Sequence, residues 1–237
     1  MSKIICEIGH NHLGNSKFLF EYLRKLDNKI VSGVSIQLKE SHLYNKEYKN
    51  YHLEPKTINK FFRQAKKKFK YVGLATTCSS NLKLLDTKSI NFIKILSLDL
   101  KNFKLIKQVK KTNKKIFLST GFSITRQIEK TLSIVGKKNI ELIHTSFAKN
   151  KDNLSLEKIN QLRKFGLPVS YGSHSKNIKT IAYSVFFKPK FIFFYIKRNI
   201  KSRNIPFRDD KHSVKLKDIK KIHNDIIKFK KYIKIND

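Results

Sequence analysis

The sequence predicts an α/β protein built as a single (β/α)8 TIM barrel over residues 1–237. Three observations carry that reading. Short apolar runs alternate with longer amphipathic stretches through the whole chain. The apolar runs are rich in Ile, Val, Phe and Tyr on both faces, as parallel strands covered on both sides are. Polar side chains recur just where most of these runs end, and a barrel gathers its active-site groups at that edge. A doubly wound open sheet is the alternative, weakened because no Gly-x-Gly-x-x-Gly follows any strand.

The strands are expected over residues 3–8, 31–37, 71–77, 92–95, 116–119, 140–144, 168–171 and 191–196. Between them, "SKFLFEYLRKL" places Phe18, Leu19, Tyr22, Leu23 and Leu26 on one helical face. "SITRQIEKTLSIVG" reads as a helix capped by Ser123 and stopped by Gly136. "LEKINQLRKFG" stops at Gly166, two residues before Pro168. The polar stretch 41–54 reads as a long loop, and no linker or low-complexity segment interrupts the pattern.

Composition bounds the function. Hydrophobic residues make up 40 % of the chain, enough for a core. No apolar run approaches the ~18 residues of a membrane span, and the start lacks the apolar region of a secretory signal. Cys6 and Cys78 both fall in apolar surroundings and read as reduced, buried thiols of a cytoplasmic protein. The formal charge of +35 raises nucleic acid or an anionic membrane as partner. The lysines, however, are spread over nearly every helix, as in "QAKKKFK" and "KQVKKTNKK", so solvated helix faces are favoured over a nucleic-acid footprint. Such a field draws phosphates and carboxylates.

The polar groups at the strand ends are Glu7, Gln37, Thr76-Thr77, Ser97, Ser119-Thr120-Gly121, His144 and His174, with Lys94 inside the fourth strand. Any one of them has a plain alternative: a Ser or Thr after a strand caps the next helix, and a lone His is satisfied in the core. The set is harder to dismiss, because it recurs in most of the units. Neighbouring strands lie ~4.8 Å apart, so imidazoles of His144 and His174 at matching heights would share a divalent ion completed by water and substrate oxygens. Lys94, Thr77, Ser97 and Ser119 form a donor set suited to phosphate or carboxylate. In "CEIGHNHLG" the alternative is a capped turn, with Gly9 and Gly14 relaxing the backbone, Asn11 and His12 satisfying it, and His10 exposed.

These segments resemble the sialic acid synthase family. "EIGHNHLG" is similar to its opening Glu-Ile-Gly-x-Asn-His-x-Gly, "KILSLDLKNFKLIK" to its Lys-Ile-x-Ser-x-(Asp/Glu) segment, and "IFLSTGFS" to its Leu-Ser-Thr-Gly-Met segment. "ELIHTS", "VSYGSHS" and "IPFRDDKHSV" resemble its sixth strand, seventh strand and late loop. Their order along the chain makes the match specific. The resemblance implies a barrel that condenses phosphoenolpyruvate with an N-acetylated amino sugar, giving a nine-carbon 2-keto acid and phosphate. It implies Mn2+ or Mg2+ held by His144 and His174, and phosphoenolpyruvate held by Lys94, Thr77, Ser97 and Ser119. It places Glu7, Asn11, His12, Gln37, Asp99 and Asp209 around substrate and metal, with Glu7, Lys94 and Asp209 as the catalytic groups. The usual assembly it implies is a homodimer.

The departures are specific. Ser35 stands where the family has a lysine, with Lys39 two residues past Gln37 as a substitute cation. "FAKNKDNL" replaces the Tyr-Pro-Thr-Pro loop, Ser173 replaces the Asp before the second metal histidine, and Phe193 and Tyr195 stand where the eighth strand usually carries Glu and His. The chain stops after the eighth helix, so the usual C-terminal antifreeze-like domain is expected to be absent. Three readings remain at this point: a divergent synthase, a non-catalytic barrel that binds a sugar or pyruvyl ligand or supports a partner subunit, and a nucleic-acid binder.

Overall fold

A computed structural model describes residues 2–39, 41–44, 48–147, 154–199 and 206–235. Its first half runs β1 (Lys3–Gly9), α1 (Ser16–Lys25), β2 (Gly33–Leu38), α2 (Ser41–Tyr44), α3 (Pro55–Lys68), β3 (Tyr71–Thr76), α4 (Ser80–Leu84), β4 (Phe92–Ile95) and α5 (Phe103–Lys110). The second half runs β5 (Lys115–Ser119), α6 (Thr125–Val135), β6 (Ile140–Ser146), α7 (Lys158–Leu162), β7 (Val169–Ser173), α8 (Ile178–Tyr183), β8 (Phe191–Lys197), β9 (Val214–Lys215) and α9 (Ile219–Ile235). The first eight strands are parallel and follow chain order round the sheet. Pairing of β1 with β8, from Lys3↔Phe191 to Glu7↔Tyr195, closes them into a barrel. This is the (β/α)8 architecture expected, and the eight expected strands are all found. The ninth, β9, is an addition that pairs with the last two residues of β8.

Both faces of the strands are apolar because both are buried. Facing inward, Ile5, Phe92, Phe117, Ile143, Phe191 and Phe193 fill the lower barrel. The rings meet edge to face, Phe117 lying 5.0 Å from Phe193 and 5.1 Å from Phe92, the geometry their quadrupoles favour. Gly73 makes room for this layer, since a Cβ there would sit 2.1 Å from the Phe92 ring. Facing outward, Ile4, Cys6, Val34, Ile36 and their counterparts meet the apolar stripes of the helices, such as Leu19, Tyr22 and Leu23 of α1 and Ile58, Phe61 and Phe62 of α3. At the foot of the barrel Glu141 is fully buried and pairs with Lys115 at 2.6 Å and Lys190 at 3.7 Å.

Several local expectations are corrected. Ser123 does not cap α6: Ile124 precedes its first residue, and Gln127 Oε1 accepts the Ile124 N–H at 3.2 Å. The stretch 41–54 is not a plain loop, because α2 and a 3-10 turn (Lys49–Tyr51) lie within it. Its aromatics drive this, Tyr48 and Tyr51 being buried with Leu13 and Phe207. Cys6 is buried but Cys78 only half-buried, and both are free thiols. α7 continues into a 3-10 turn (Arg163–Phe165), and Gly166 ends it at φ 68°, as expected. Among the described residues no helix is long and apolar enough to cross a membrane.

Candidate active site

At the C-terminal ends of the strands a cavity of about 210 Å³ opens. β2 supplies Gln37 and, just after it, Lys39. β4 supplies Lys94, with Ser97 following, and β5 supplies Ser119. Thr145 comes from β6, His174 from just past β7 and Tyr195 from β8, while the segment before β9 brings Asp209 and His212. Strand alternation decides which side chains arrive: the residue two before Thr145 is Ile143, and the residue two before Tyr195 is Phe193, both in the inner layer.

Lys94 is the deepest charge, 1 % exposed. Its ammonium donates to both oxygens of Glu7, at 2.7 and 2.8 Å, and lies 5.4 Å from the centre of the Phe193 ring. Glu7 therefore reaches the site through Lys94 and is not itself in the cavity wall. Ser97 Oγ accepts the Gly121 N–H at 3.2 Å, which fixes the turn after β5. Gln37 Oε1 accepts the Tyr195 hydroxyl hydrogen at 3.1 Å. The hydroxyls of Ser119 and Thr145 are buried and have no hydrogen-bond partner among the described residues. Buried polar atoms are rarely left so, and both hydroxyls belong to residues of the cavity wall.

The first-strand corner does something other than line the cavity. Gly9, at φ 56°, turns the chain away from the barrel; a Cβ there would meet Asp209 Oδ2 at 2.6 Å and the Tyr195 ring at 2.7 Å. Asn11 is wholly buried and ties the late segment down: its Nδ2 donates to Ile196 O and Ser213 Oγ, both at 2.9 Å, and its Oδ1 accepts from Asp209 N at 3.2 Å. His12 Nδ1 accepts from Gly14 N at 3.1 Å, and burial holds its pKa down at about 3. The expected substrate contacts of Asn11 and His12 thus give way to a fastening role. His10 is not exposed but 1 % accessible, its ring 5.1 Å from that of Tyr48.

The expected metal pair is not formed. On β6 and β7, His144 pairs in register with Tyr171 and Ser146 with Ser173, so His144 lies three residues, ~10 Å, below His174. It also faces outward, because Ile143 and Thr145 face inward. Its ring meets Leu154 O at 3.1 Å, in a second cavity between α6 and α7. His174 does face the mouth, and its ring stacks on His212 at 4.4 Å. His212 Nε2 lies 3.6 Å from Asp209 Oδ1 and has no hydrogen-bond partner among the described residues. Among the described residues, however, no group of three His, Cys, Asp or Glu is arranged to hold a metal ion. The donors as placed do not fit the divalent cation that the sequence led us to expect. Thr77 and Asp99 also stand outside the cavity wall, Asp99 in the 3-10 turn after β4. The substitution "FAKNKDNL" falls largely on 148–153, outside the described residues.

Electrostatics separate the roles of His174 and Tyr195. Burial, with the charges of His212 and Lys94 beside it, holds the His174 imidazole well below its ordinary pKa, so it is neutral at pH 7. Burial, with Glu7 and Asp209 nearby, pushes the Tyr195 phenol well above its ordinary value. Sequence reasoning missed Thr145, Tyr48 and His212, and treated Tyr195 only as a departure. Counting by two from Ile143 and Phe193 would have found Thr145 and Tyr195. Nothing in the residue types around His212 marks it.

Comparison with known proteins shows the family. The sequence model described as the NeuB family matches residues 25–235. An N,N'-diacetyllegionaminic acid synthase of Campylobacter jejuni is 32 % identical over 103 residues, 40 % of this chain and 31 % of the relative. An uncharacterized protein of Methanocaldococcus jannaschii is 31 % identical over 108 residues, 43 % of this chain and 32 % of the relative. The aligned part thus spans about a third of the length of these curated relatives. In structure, an N-acetylneuraminic acid (sialic acid) synthetase of Leptospira borgpetersenii superposes with a TM-score of 0.87 at 22 % identity, over 98 % of this chain and 85 % of that one. A truncated 3-deoxy-D-arabino-heptulosonate 7-phosphate synthase of Thermotoga maritima gives 0.75 at 17 % identity, over 98 % and 87 %. The structural likenesses show the fold, and the family match covers most of the chain: this protein belongs to the NeuB family.

Proposed function

We propose that this barrel condenses phosphoenolpyruvate with the open-chain aldehyde of an N-acylated amino sugar to give a nine-carbon 2-keto acid. Carbon 3 of phosphoenolpyruvate forms the new bond to the aldehyde carbon, water adds at carbon 2, and the C–O bond to phosphate breaks. The observation that carries the reading is the meeting of Lys94, Ser97, Ser119, His174 and Asp209 on one cavity in a chain of this family. The family match and the legionaminic acid synthase relative support the reaction class.

The chain's own groups suit parts of this chemistry. Unpartnered hydroxyls of Ser119 and Thr145 offer hydrogen bonds to phosphate or carboxylate oxygens. The neutral His174 imidazole is able to accept a hydrogen bond from the attacking water and so orient it. Glu7 holds Lys94 in one position, so the ammonium is preorganised. A divalent cation belongs to the family expectation, but His144 is turned away from the cavity that would hold it. A cytoplasmic location and a homodimer stay part of the proposal. The test is phosphate release from phosphoenolpyruvate with a panel of N-acylated mannosamines and related sugars, with and without Mn2+. Release that needs the sugar is the expected result; none across the panel, in folded protein, rejects the reading.

A second reading, a barrel that binds a pyruvyl or sugar ligand without turnover, is favoured by the displaced His144 and by Phe193 and Tyr195 filling the eighth-strand side. It predicts calorimetric binding of phosphoenolpyruvate with no phosphate released.

A further inference from the structure

We infer that Lys39, held with Arg208 on the ring of Tyr48, is the cation that captures the anionic substrate at the rim of this cavity. The inference rests on the phosphoenolpyruvate reading for the ligand's class, a phosphorylated carboxylate, and goes beyond it in naming the residue that supplies the charge.

The argument is one of charge balance. Lys94 looks like the obvious anion holder, yet both Glu7 oxygens lie within 2.8 Å of its ammonium, and the pair is shut inside the barrel with side-chain exposures of 2 % and 3 %. To a ligand in the mouth it presents no net charge. The hydroxyls of Ser97, Ser119 and Thr145 are neutral, His174 is neutral, and Asp209 is an anion. On β2 the residue two before Gln37 is Ser35, again neutral. Without Lys39, then, the described wall outside the Glu7–Lys94 pair offers an incoming dianion the Asp209 carboxylate, which repels it.

Lys39 corrects the sign. Its ammonium stands 5.5 Å from the centre of the Tyr48 ring. The Arg208 guanidinium stands 4.8 Å from the same centre and its Nη2 donates to the Tyr48 hydroxyl at 3.3 Å. Tyr48 is itself 8 % exposed and lines the cavity. One phenol ring thus gathers two cations from segments far apart in sequence. The buried His10 beside this ring reports their combined field: burial first, then His12, Lys39 and Arg208, hold its pKa well below the ordinary value. The Lys39 ammonium touches this ring only at the long end of a cation–ring contact, so it can exchange the ring for a phosphate or carboxylate oxygen. A charge-assisted hydrogen bond is the stronger of the two interactions.

The test uses the whole chain and phosphoenolpyruvate itself, by titration calorimetry and by the phosphate-release assay. Lys39→Met is expected to weaken binding roughly 10- to 100-fold, as loss of a charge-assisted hydrogen bond does, and to raise KM far more than it lowers kcat. Lys39→Arg is expected to restore most of the affinity, and Tyr48→Leu to lose part of it. Lys104→Met, an exposed lysine of α5, removes the same unit from the net charge and serves as control. Unchanged affinity in Lys39→Met, a loss no greater than in Lys104→Met, or no binding of phosphoenolpyruvate by the unmodified chain overturns the inference. Lys39-dependent binding without phosphate release from any sugar upholds it and rejects the condensation instead.

Discussion

Glu7 and Lys94 form an ion pair shut inside the barrel, and a buried ion pair is costly to break from one side. Removing one partner strands the other, which costs about 3–5 kcal/mol. Lys94→Met is therefore expected to lower the urea midpoint markedly, and Glu7→Gln/Lys94→Met together to recover part of the loss. Four histidines, three of them buried and His174 half-buried, set the pH behaviour: His10, His12, His144 and His174 all have pKa values below the ordinary one, His12 down at about 3. The unfolded chain takes up their protons from about pH 6.5 downward while the folded chain does not, so stability falls as pH drops from there towards 3. His12→Asn is expected to lose less stability than the unmodified chain between about pH 7.5 and about pH 4.5, measured as urea midpoints. At this scale the sequence was legible where residue type and strand end coincided, as at Gln37, Ser97, Ser119 and His174. It failed at His144, where facing depends on alternation: one residue along, Thr145 points in and the imidazole points out.

The strands were legible because each is a short apolar run covered on both faces, and β4 was located to the residue. The late segment was legible only through the resemblance, which gave Asp209 but not His212, because both are placed by contacts nearly 200 positions apart in the chain, such as Asn11 Oδ1 with Asp209 N. That dependence is testable. Asn11→Ala removes three hydrogen bonds and leaves buried partners unsatisfied, at about 1–3 kcal/mol for such a group. The barrel is expected to stay folded by circular dichroism while phosphate release falls at least tenfold, because the segment carrying Asp209 loses its fastening. Gly73 tests the inner layer instead: Gly73→Val drives a side chain into the Phe92 ring, and overpacking of this kind typically costs ~1–3 kcal/mol, read as a lower thermal midpoint.

For the molecule as a whole, the alternation of apolar runs and amphipathic stretches was enough to predict the closed barrel, while the charge of +35 predicted little by itself. At the end of α3, Lys66 and Lys67 are exposed to solvent, and Lys68 beside them is spent on the Leu23 carbonyl at 2.6 Å. Binding to duplex DNA and to heparin is expected to be equally weak and to vanish together as salt rises, since it follows counterion release alone. The seam of the barrel has a further consequence. β1 leaves β8 after Glu7, where its pairing is interrupted and Gly9 turns it away, and β9 takes over at Ile196. The first and last staves therefore hold the mouth between them, and a half-barrel fragment from either end inherits an arc of wall but no working opening. Two such fragments, cut within α6 and remixed, would regain the site only on closing the ring, which makes the circle itself the smallest heritable unit of this function.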